Sequence, residues 1–199
     1  KEWPNLILPG APKAGTTAIW EYLGSHPDIV FCHPKEPQFF DGSSKLAARR
    51  YLRLFTGQDS IRRYRGDAST CYLSSSSAIQ RIEAVCHRPY YIVCLRNPVD
   101  LVHALHWEHV LQGIEPEQDF ATAWSYGERR RRTAQRSPES IVRRLLVYPD
   151  MGLIGTQVDR LLRCVDRGRV FFLIQEEMRN DPLGTYRRVV DFLGLPDDG

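Results

Sequence analysis

Short apolar runs alternate along the chain with longer segments of helical period. The runs Asn5–Leu8, Ile29–Cys32, Tyr64–Asp67, Tyr90–Leu95 and Val170–Ile174 have the length and character of strands. Tyr90–Leu95 is apolar throughout, the pattern of a strand buried on both faces of a parallel sheet. Between the runs, the spacing predicts helices over Thr16–Ser25, Lys45–Phe55, Ser75–Cys86, Val99–Leu111, Phe120–Arg132, Leu153–Val165 and Pro182–Leu193. Within Leu153–Val165, for example, Ile154, Val158, Leu161, Leu162 and Val165 fall on one helical face. This alternation predicts an α/β fold: a single domain with a mostly parallel central sheet flanked by helices. Ligands of such sheets bind beyond the C-terminal strand ends, where the strand order reverses. That rule directs attention to residues 9–17, 33–41, 67–72 and 96–104. Residues 133–152 carry the weakest signal and read as a mobile flap.

Composition narrows the partners. With 199 residues, 42% apolar and 26% charged, the chain reads as one ordinary globular domain over residues 1–199. No apolar stretch approaches the length of a membrane span, and no secretory signal opens the chain. Its start at Lys1 rather than methionine is what a removed leader or a longer parent chain would leave. A formal charge of +3 permits an anionic ligand but lacks the strongly basic character expected for a nucleic-acid partner. The densest charge run, Glu128–Arg132, reads as a solvated helix face. The five cysteines, Cys32, Cys71, Cys86, Cys94 and Cys164, have neither metal-ligand nor disulfide-framework spacing, so no metal is expected. Their odd number favours a reducing, cytoplasmic compartment, with a Golgi lumen as the alternative for a luminal fragment. Nothing in the sequence sets an oligomeric state.

Candidate chemistry begins at residues 8–17, LPGAPKAGTT. A strand, a loop containing Gly10 and Gly15, and a helix opening near Thr16 form an anion cradle. Glycines let main-chain N–H groups turn inward, and the first helical turn leaves further donors free. Lys13 adds a point charge, and Thr16 and Thr17 add hydroxyls. The two glycines match the first part of a nucleoside-triphosphate loop, but Thr16-Thr17 stands where that loop carries Lys-Ser/Thr.

The stretch PKAGTT closely resembles the 5′-phosphosulfate loop of sulfotransferases that use 3′-phosphoadenosine 5′-phosphosulfate (PAPS). The resemblance continues through LGSHPDI and PKEPQFFDG, and more faintly through GDASTCYL, IVCLRNPVD and VVDFLGLP, so it covers nearly the whole chain. The pattern is similar to the heparan-sulfate type and its bacterial relatives. It implies a P-loop-like phosphosulfate-binding loop, PAPS as donor and 3′-phosphoadenosine 5′-phosphate (PAP) as product. The acceptor would be a hydroxyl, or an amine, of a small molecule or glycan.

By the same resemblance, Lys13, Ala14, Gly15, Thr16 and Thr17 would hold the donor, with Lys13 near the oxygen bridging phosphorus and sulfur. Glu36 would take the acceptor's proton, with His33 and Asp41 as rival bases and His106 as a weaker one. In an extended segment Lys35 and Glu36 point to opposite sides, so they are not expected to pair. Phe39 and Phe40 are expected to pack as core or pocket wall. Arg96 would grip the 3′-phosphate as a bidentate partner.

Three departures accompany the resemblance. The family's serine eight residues after that arginine is Ala104 here, and a lysine common after the acid of the GDAS stretch is Ala68, leaving Asp67, Ser69 and Tyr72. The sequence also stops at Gly199, short of the loop that covers the adenosine in relatives, and so reads as a truncated form or one that dispenses with that loop. Two alternatives therefore stand: a P-loop-type kinase or NTPase, and a nucleotide-binding module that has lost activity. Trp107, Trp124 and Tyr126 are candidates for lining an acceptor cleft.

Overall fold

In the computed structural model, residues 3–55, 62–136 and 140–198 are described. Five strands, β1 (Leu6–Ile7), β2 (Ile29–Phe31), β3 (Tyr64–Asp67), β4 (Tyr90–Leu95) and β5 (Val170–Ile174), form one sheet in the order β2-β3-β1-β4-β5. Every pairing is parallel. The helices are α1 (Thr16–Ser25), α2 (Ala48–Tyr51), α3 (Ala78–Val85), α4 (Pro98–Leu111), α5 (Phe120–Ser125) and α6 (Gly127–Arg136). They continue with α7 (Ile141–Leu145), α8 (Tyr148–Met151), α9 (Ile154–Cys164), α10 (Gln175–Asn180) and α11 (Pro182–Phe192).

Strand β1 is central, and the chain leaves it first toward β2 and β3, then returns to its other side for β4 and β5. The reversal of order therefore falls at its C-terminal end, where a ligand crevice is expected. The ladder does not stop with the strand. Leu8 N–H donates to the Asp67 carbonyl at 2.9 Å and Ala11 N–H to the Cys94 carbonyl at 2.7 Å. Leu73 N–H and Cys94 N–H return bonds to the Pro9 and Gly10 carbonyls at 2.8 Å each. The loop after β1 is thus fastened to the ends of both neighbouring strands.

Apolar burial explains why β1 and β4 sit in the middle. Leu6, Ile7 and Leu8, and Tyr91, Ile92, Val93 and Cys94, are fully buried. Each aliphatic side chain of this kind contributes about 1.5–3 kcal/mol relative to exposure.

Several elements differ from the reading of the sequence. The expected helix over Lys45–Phe55 shortens to α2 followed by a 3₁₀ turn at Leu52–Phe55. The expected Phe120–Arg132 helix breaks into α5 and α6, and Gly127 at the break lets Pro149 pack where a Cβ would come within 2.7 Å of its Cγ. The flap reading is corrected for residues 133–136 and 140–152, where α6 ends and α7 and α8 follow and where Val147, Tyr148 and Met151 are buried; residues 137–139 of that reading lie outside the described residues. Glu115 anchors α6 and α8, accepting from Tyr148 Oη at 3.1 Å and pairing with Arg130 at 2.7 Å. Helix α10, polar and continuous with β5, has no apolar period to reveal it.

Candidate active site

The loop between β1 and α1 owes its shape to residues with left-handed backbone. Gly10 has φ 130°, and a Cβ there would collide with the Thr70 carbonyl oxygen. Gly15, at φ 86°, is the N-cap of α1, and a Cβ on it would run into Met178 of α10. Lys13 also lies at positive φ, 58°, an uncommon conformation for a side chain other than glycine. Among the described residues no protein acceptor takes the main-chain N–H groups of Gly15, Thr16 or Thr17. The start of α1 therefore presents donors and the positive end of a helix dipole together.

These groups face a cavity of about 290 Å³ lined by Pro12, Lys13, Gly15, Thr16, Thr17, Glu36, Thr70 and Glu108. The structure thus brings together Lys13, Gly15, Thr16, Thr17 and Glu36. Ala14 and Arg96 lie outside this lining. The Ala14 side chain is buried in the core, so only its main chain is available to a ligand at the loop. Arg96, at the end of β4, donates from Nη1 to the Lys13 carbonyl at 3.0 Å and braces the loop from outside.

Glu36 is held on both oxygens. Lys35 Nζ lies 3.3 Å from Oε1, and Thr70 donates its hydroxyl to Oε2 at 3.0 Å. The expectation that Lys35 and Glu36 point apart is corrected, because Glu36 has φ 59° and the segment is not extended. Lys35 also donates to Thr17 Oγ1 at 3.1 Å, tying the Glu36 segment to the start of α1.

The rival bases lie elsewhere. His33 is exposed and does not line the cavity. Asp41 is buried in an ion pair with Arg144 at 2.7 Å and accepts from Ser43 Oγ at 2.6 Å. His106 is buried against Phe120 and Tyr148, with Nε2 2.8 Å from the Glu117 carbonyl.

Asp67 is fully buried and serves the architecture of the site. It accepts from the hydroxyls of Tyr51 at 2.7 Å, Tyr72 at 2.8 Å and Ser69 at 2.7 Å, and from Ser69 N–H at 3.0 Å. Burial pushes its carboxyl above the usual range, while these donors pull the other way. Tyr72 and Ser69 in turn accept the N–H groups of Phe40 and Gln38, at 3.3 and 3.0 Å, so the network positions the segment that carries Glu36. Ala68 is buried beside Asp67.

Glu108 is the residue that the sequence did not reveal. Its Oε1 lies 3.2 Å from Lys13 Nζ, each side chain being about one-third exposed. Ala104 stands one helical turn earlier on α4, so the face on which the family's serine was expected is the face that carries Glu108. That i to i+4 relation was the only available signal. Of the aromatic candidates, Trp107, Trp124 and Tyr126 do not line this cavity. Trp124 borders a separate apolar cavity with Val99 and Phe120, and Tyr126 donates to Glu117 at 3.3 Å.

Comparison with known proteins identifies the family. The profile of the sulfotransferase domain matches residues 4–198. The mouse (Mus musculus) heparan sulfate glucosamine 3-O-sulfotransferase 3B1 is 30% identical over 199 residues, an alignment covering 98% of this chain and 47% of that protein. Human heparan sulfate glucosamine 3-O-sulfotransferase 6 is also 30% identical, over 98% of this chain and 53% of its own length. The chain spans about half the length of these curated relatives. A crystal structure of a sulfotransferase from Alicyclobacillus acidocaldarius superimposes with a TM-score of 0.88 at 28% identity, covering 100% of this chain and 84% of that one. With the profile matched from end to end and the fold shared at this level, the chain belongs to the sulfotransferase family.

Proposed function

We propose that this chain moves a sulfuryl group from PAPS to an acceptor hydroxyl by in-line displacement, with Glu36 as general base and Lys13 as the cation at the leaving group. The observation that carries the reading is the shared cavity: a carboxylate, an ammonium and the free N–H groups of a helix start line one space of about 290 Å³. The donor set suits a phosphosulfate. Positive-φ glycine, unclaimed main-chain donors and threonine hydroxyls match anionic oxygens, and no acidic residue stands in the first turn of α1.

The donor, when bound, supplies a sulfuryl group whose bond to the bridging oxygen breaks as a bond to the acceptor oxygen forms. The N–H groups of Gly15, Thr16 and Thr17 hold the 5′-phosphate, and the Ala14 main chain completes the loop. Lys13 turns from Glu108 toward the oxygen on which charge accumulates. It therefore acts more strongly in the transition state than before it. Glu36 receives the acceptor's proton as the new bond forms, and Thr70 and Lys35 keep its carboxylate in place. Arg96 fixes the Lys13 carbonyl and so the register of the loop; a 3′-phosphate grip would be a further role for its guanidinium.

The acceptor class we assign is a hydroxyl-bearing small molecule or glycan. Two relatives are named for sulfation of a heparan sulfate glucosamine hydroxyl; the cavity here is lined by one lysine, Lys13, and two carboxylates, Glu36 and Glu108. Calorimetry with PAP, and with ATP and GTP in the presence of magnesium, tests the reading. Tight magnesium-independent binding of PAP is expected. A preference for Mg-ATP would sink the proposal, and PAP binding with no turnover across a broad acceptor panel would make the chain an inactive nucleotide-binding module.

A further inference from the structure

The segment that carries Glu36 is an irregular turn with a left-handed backbone at three places. Glu36 and Gln38 lie at φ 59° and 51°, and Gly42 at 85°. Side chains other than glycine keep such angles only where their surroundings dictate them. The Asp67 network supplies part of that constraint, taking the N–H groups of Gln38 and Phe40 through Ser69 and Tyr72. It reaches residues 38–40. The far end of the turn is fastened from another part of the chain.

That fastening is Arg144 on α7. Its Nη2 lies 2.7 Å from Asp41 Oδ2, across 103 residues of sequence. The Asp41 side chain is fully buried and that of Arg144 is 27% exposed, so the guanidinium enters from the surface to meet a carboxylate in the interior. Asp41 passes the hold back into the turn. Its Oδ1 accepts from Ser43 N–H at 2.8 Å and from Ser43 Oγ at 2.6 Å. A hydroxyl carries one proton and Asp41 takes it, which leaves the Ser43 lone pairs to the Gln38 side-chain amide 3.3 Å away. On the outer side, Arg81 Nη1 donates to the Phe40 carbonyl at 3.5 Å and lies where a Cβ on Gly42 would meet it at 2.8 Å. One run of contacts thus leads from α7 through Arg144, Asp41 and Ser43 to Gln38, two residues from Glu36.

We propose that Arg144 is a positioning residue for Glu36, acting through Asp41 to fix the turn on which the base stands. The proposal rests on the sulfuryl-transfer reading and extends it to α7. Thr70 and Lys35 hold the Glu36 carboxylate directly, whereas Arg144 holds the backbone beneath it. Arg144 itself exchanges no proton and touches no reacting atom. Its contribution is distance, since a misplacement of about 1 Å at a reacting group costs on the order of 10²-fold in rate.

The test follows PAPS turnover with water as the acceptor. The bond from sulfur to the bridging oxygen breaks, a bond to the water oxygen forms, and the proton passes to Glu36, giving PAP and sulfate. Arg144→Gln should lower kcat about 10- to 100-fold while KM for PAPS and Kd for PAP stay within about twofold. Amide hydrogen exchange at Gln38 and Phe40 should quicken by about tenfold or more, with Ile92 and Val93 of β4 unchanged. Arg144→Lys, which restores the charge, should recover most of the rate. Ser43→Ala cuts the same run of contacts without stranding a buried charge, so it serves if Arg144→Gln fails to fold; a loss of about fivefold in kcat is expected, the size of one neutral hydrogen bond. Arg169→Gln is the control for lost stability alone. It breaks a 2.7 Å pair with Glu83 that belongs to α3 and the start of β5, and it should lower the melting temperature without changing kcat. Parent-like kcat and Gln38 exchange in folded Arg144→Gln, or in Ser43→Ala where the first variant does not fold, would overturn the proposal. Equal slowing by Arg169→Gln would do the same. Absence of PAP binding in the parent chain would instead sink the sulfuryl-transfer reading, and Gln38 exchange would still decide whether Arg144 holds the turn.

Discussion

The ammonium of Lys13 lies 3.2 Å from the carboxylate of Glu108, across 95 residues of sequence and inside the cavity proposed to receive the donor. Both side chains are about one-third exposed, so the pair is worth no more than about 1 kcal/mol. It is nevertheless a contact that donor binding must break. Glu108→Gln is therefore expected to tighten PAP about two- to fivefold, the size of a partly solvated pair. The gain should shrink as salt is raised. Calorimetry at low and high ionic strength reads both effects. Unchanged or weaker binding would mean that Lys13 keeps Glu108 when the nucleotide is bound.

Lys13 and Glu36 should separate binding from chemistry. Lys13→Ala is expected to lower kcat by about two to three orders of magnitude, the scale of losing one preorganised electrostatic stabiliser. Glu36→Gln keeps the shape and the Thr70 partner, so PAP binding should stay near that of the parent while turnover falls about 10²–10⁴-fold. Single-turnover assays with PAPS distinguish the two variants. Near-normal turnover by Glu36→Gln would transfer the role of base to Glu108, the other carboxylate in the cavity.

What the sequence disclosed follows from range. The strands were legible because Leu6–Leu8 and Tyr90–Leu95 are apolar runs whose burial is written into residue type. The loop was legible because glycine spacing and Lys13 are local. Pairings set by tertiary structure were not legible. Glu108 sits on a helix with apolar residues on most sides, and nothing near it in sequence points to Lys13. The Lys35–Glu36 pair depends on a positive φ that no residue type there announces. The short helices α7 and α8 have little period, and Tyr148 of α8 is placed by Glu115, which also meets Arg130.

Gly15 should be intolerant of any side chain. Its φ of 86° and the position of Met178 both oppose a Cβ. Gly15→Ala is expected to destabilise the fold by about 1–2 kcal/mol through the left-handed backbone alone, and to weaken PAP further by moving the N–H groups at the start of α1. Gly113, with φ 70° but open space around it, is the control for backbone strain without a clash. Thermal melts and PAP titrations of Gly15→Ala and Gly113→Ala should therefore agree roughly in the strain term and differ sharply in nucleotide binding. Equal PAP affinity in the two would remove Gly15 from the cradle.

Asp67 is the structural anchor beneath the Glu36 segment. Asp67→Ala strands the buried hydroxyls of Tyr51 and Tyr72, each costing about 1–3 kcal/mol, so a loss of about 3 kcal/mol or more is expected. Asp67→Asn keeps one acceptor, and a hydroxyl can turn to accept from the new amide, so the loss should be about half as large. Urea denaturation measures both. A loss under about 1 kcal/mol for the alanine variant would show that these hydroxyls find water instead.

Acid should weaken the fold in two separate steps. His109 is buried with Nδ1 3.3 Å from Tyr148 Oη, and burial holds its imidazole below the usual 6.5, although Glu108 and Glu115 oppose the shift. The unfolded chain therefore binds this proton at a higher pH than the fold does. The contribution of neutral His109 is full above about pH 6.5 and declines as the pH drops below it. Glu115 behaves as a depressed acid: burial works against its charge, but Arg130 holds the carboxyl below its usual 4.5. Its contribution is complete above about pH 4.5 and is lost only in stronger acid. Between about pH 7 and 5, then, His109 acts and Glu115 does not. The melting temperature should fall across that window, and His109→Gln, which retains a hydrogen-bonding group facing Tyr148 without a titrating ring, should flatten the slope while leaving the drop below about pH 4.5 intact. An undiminished slope in the variant would assign the upper step to another group.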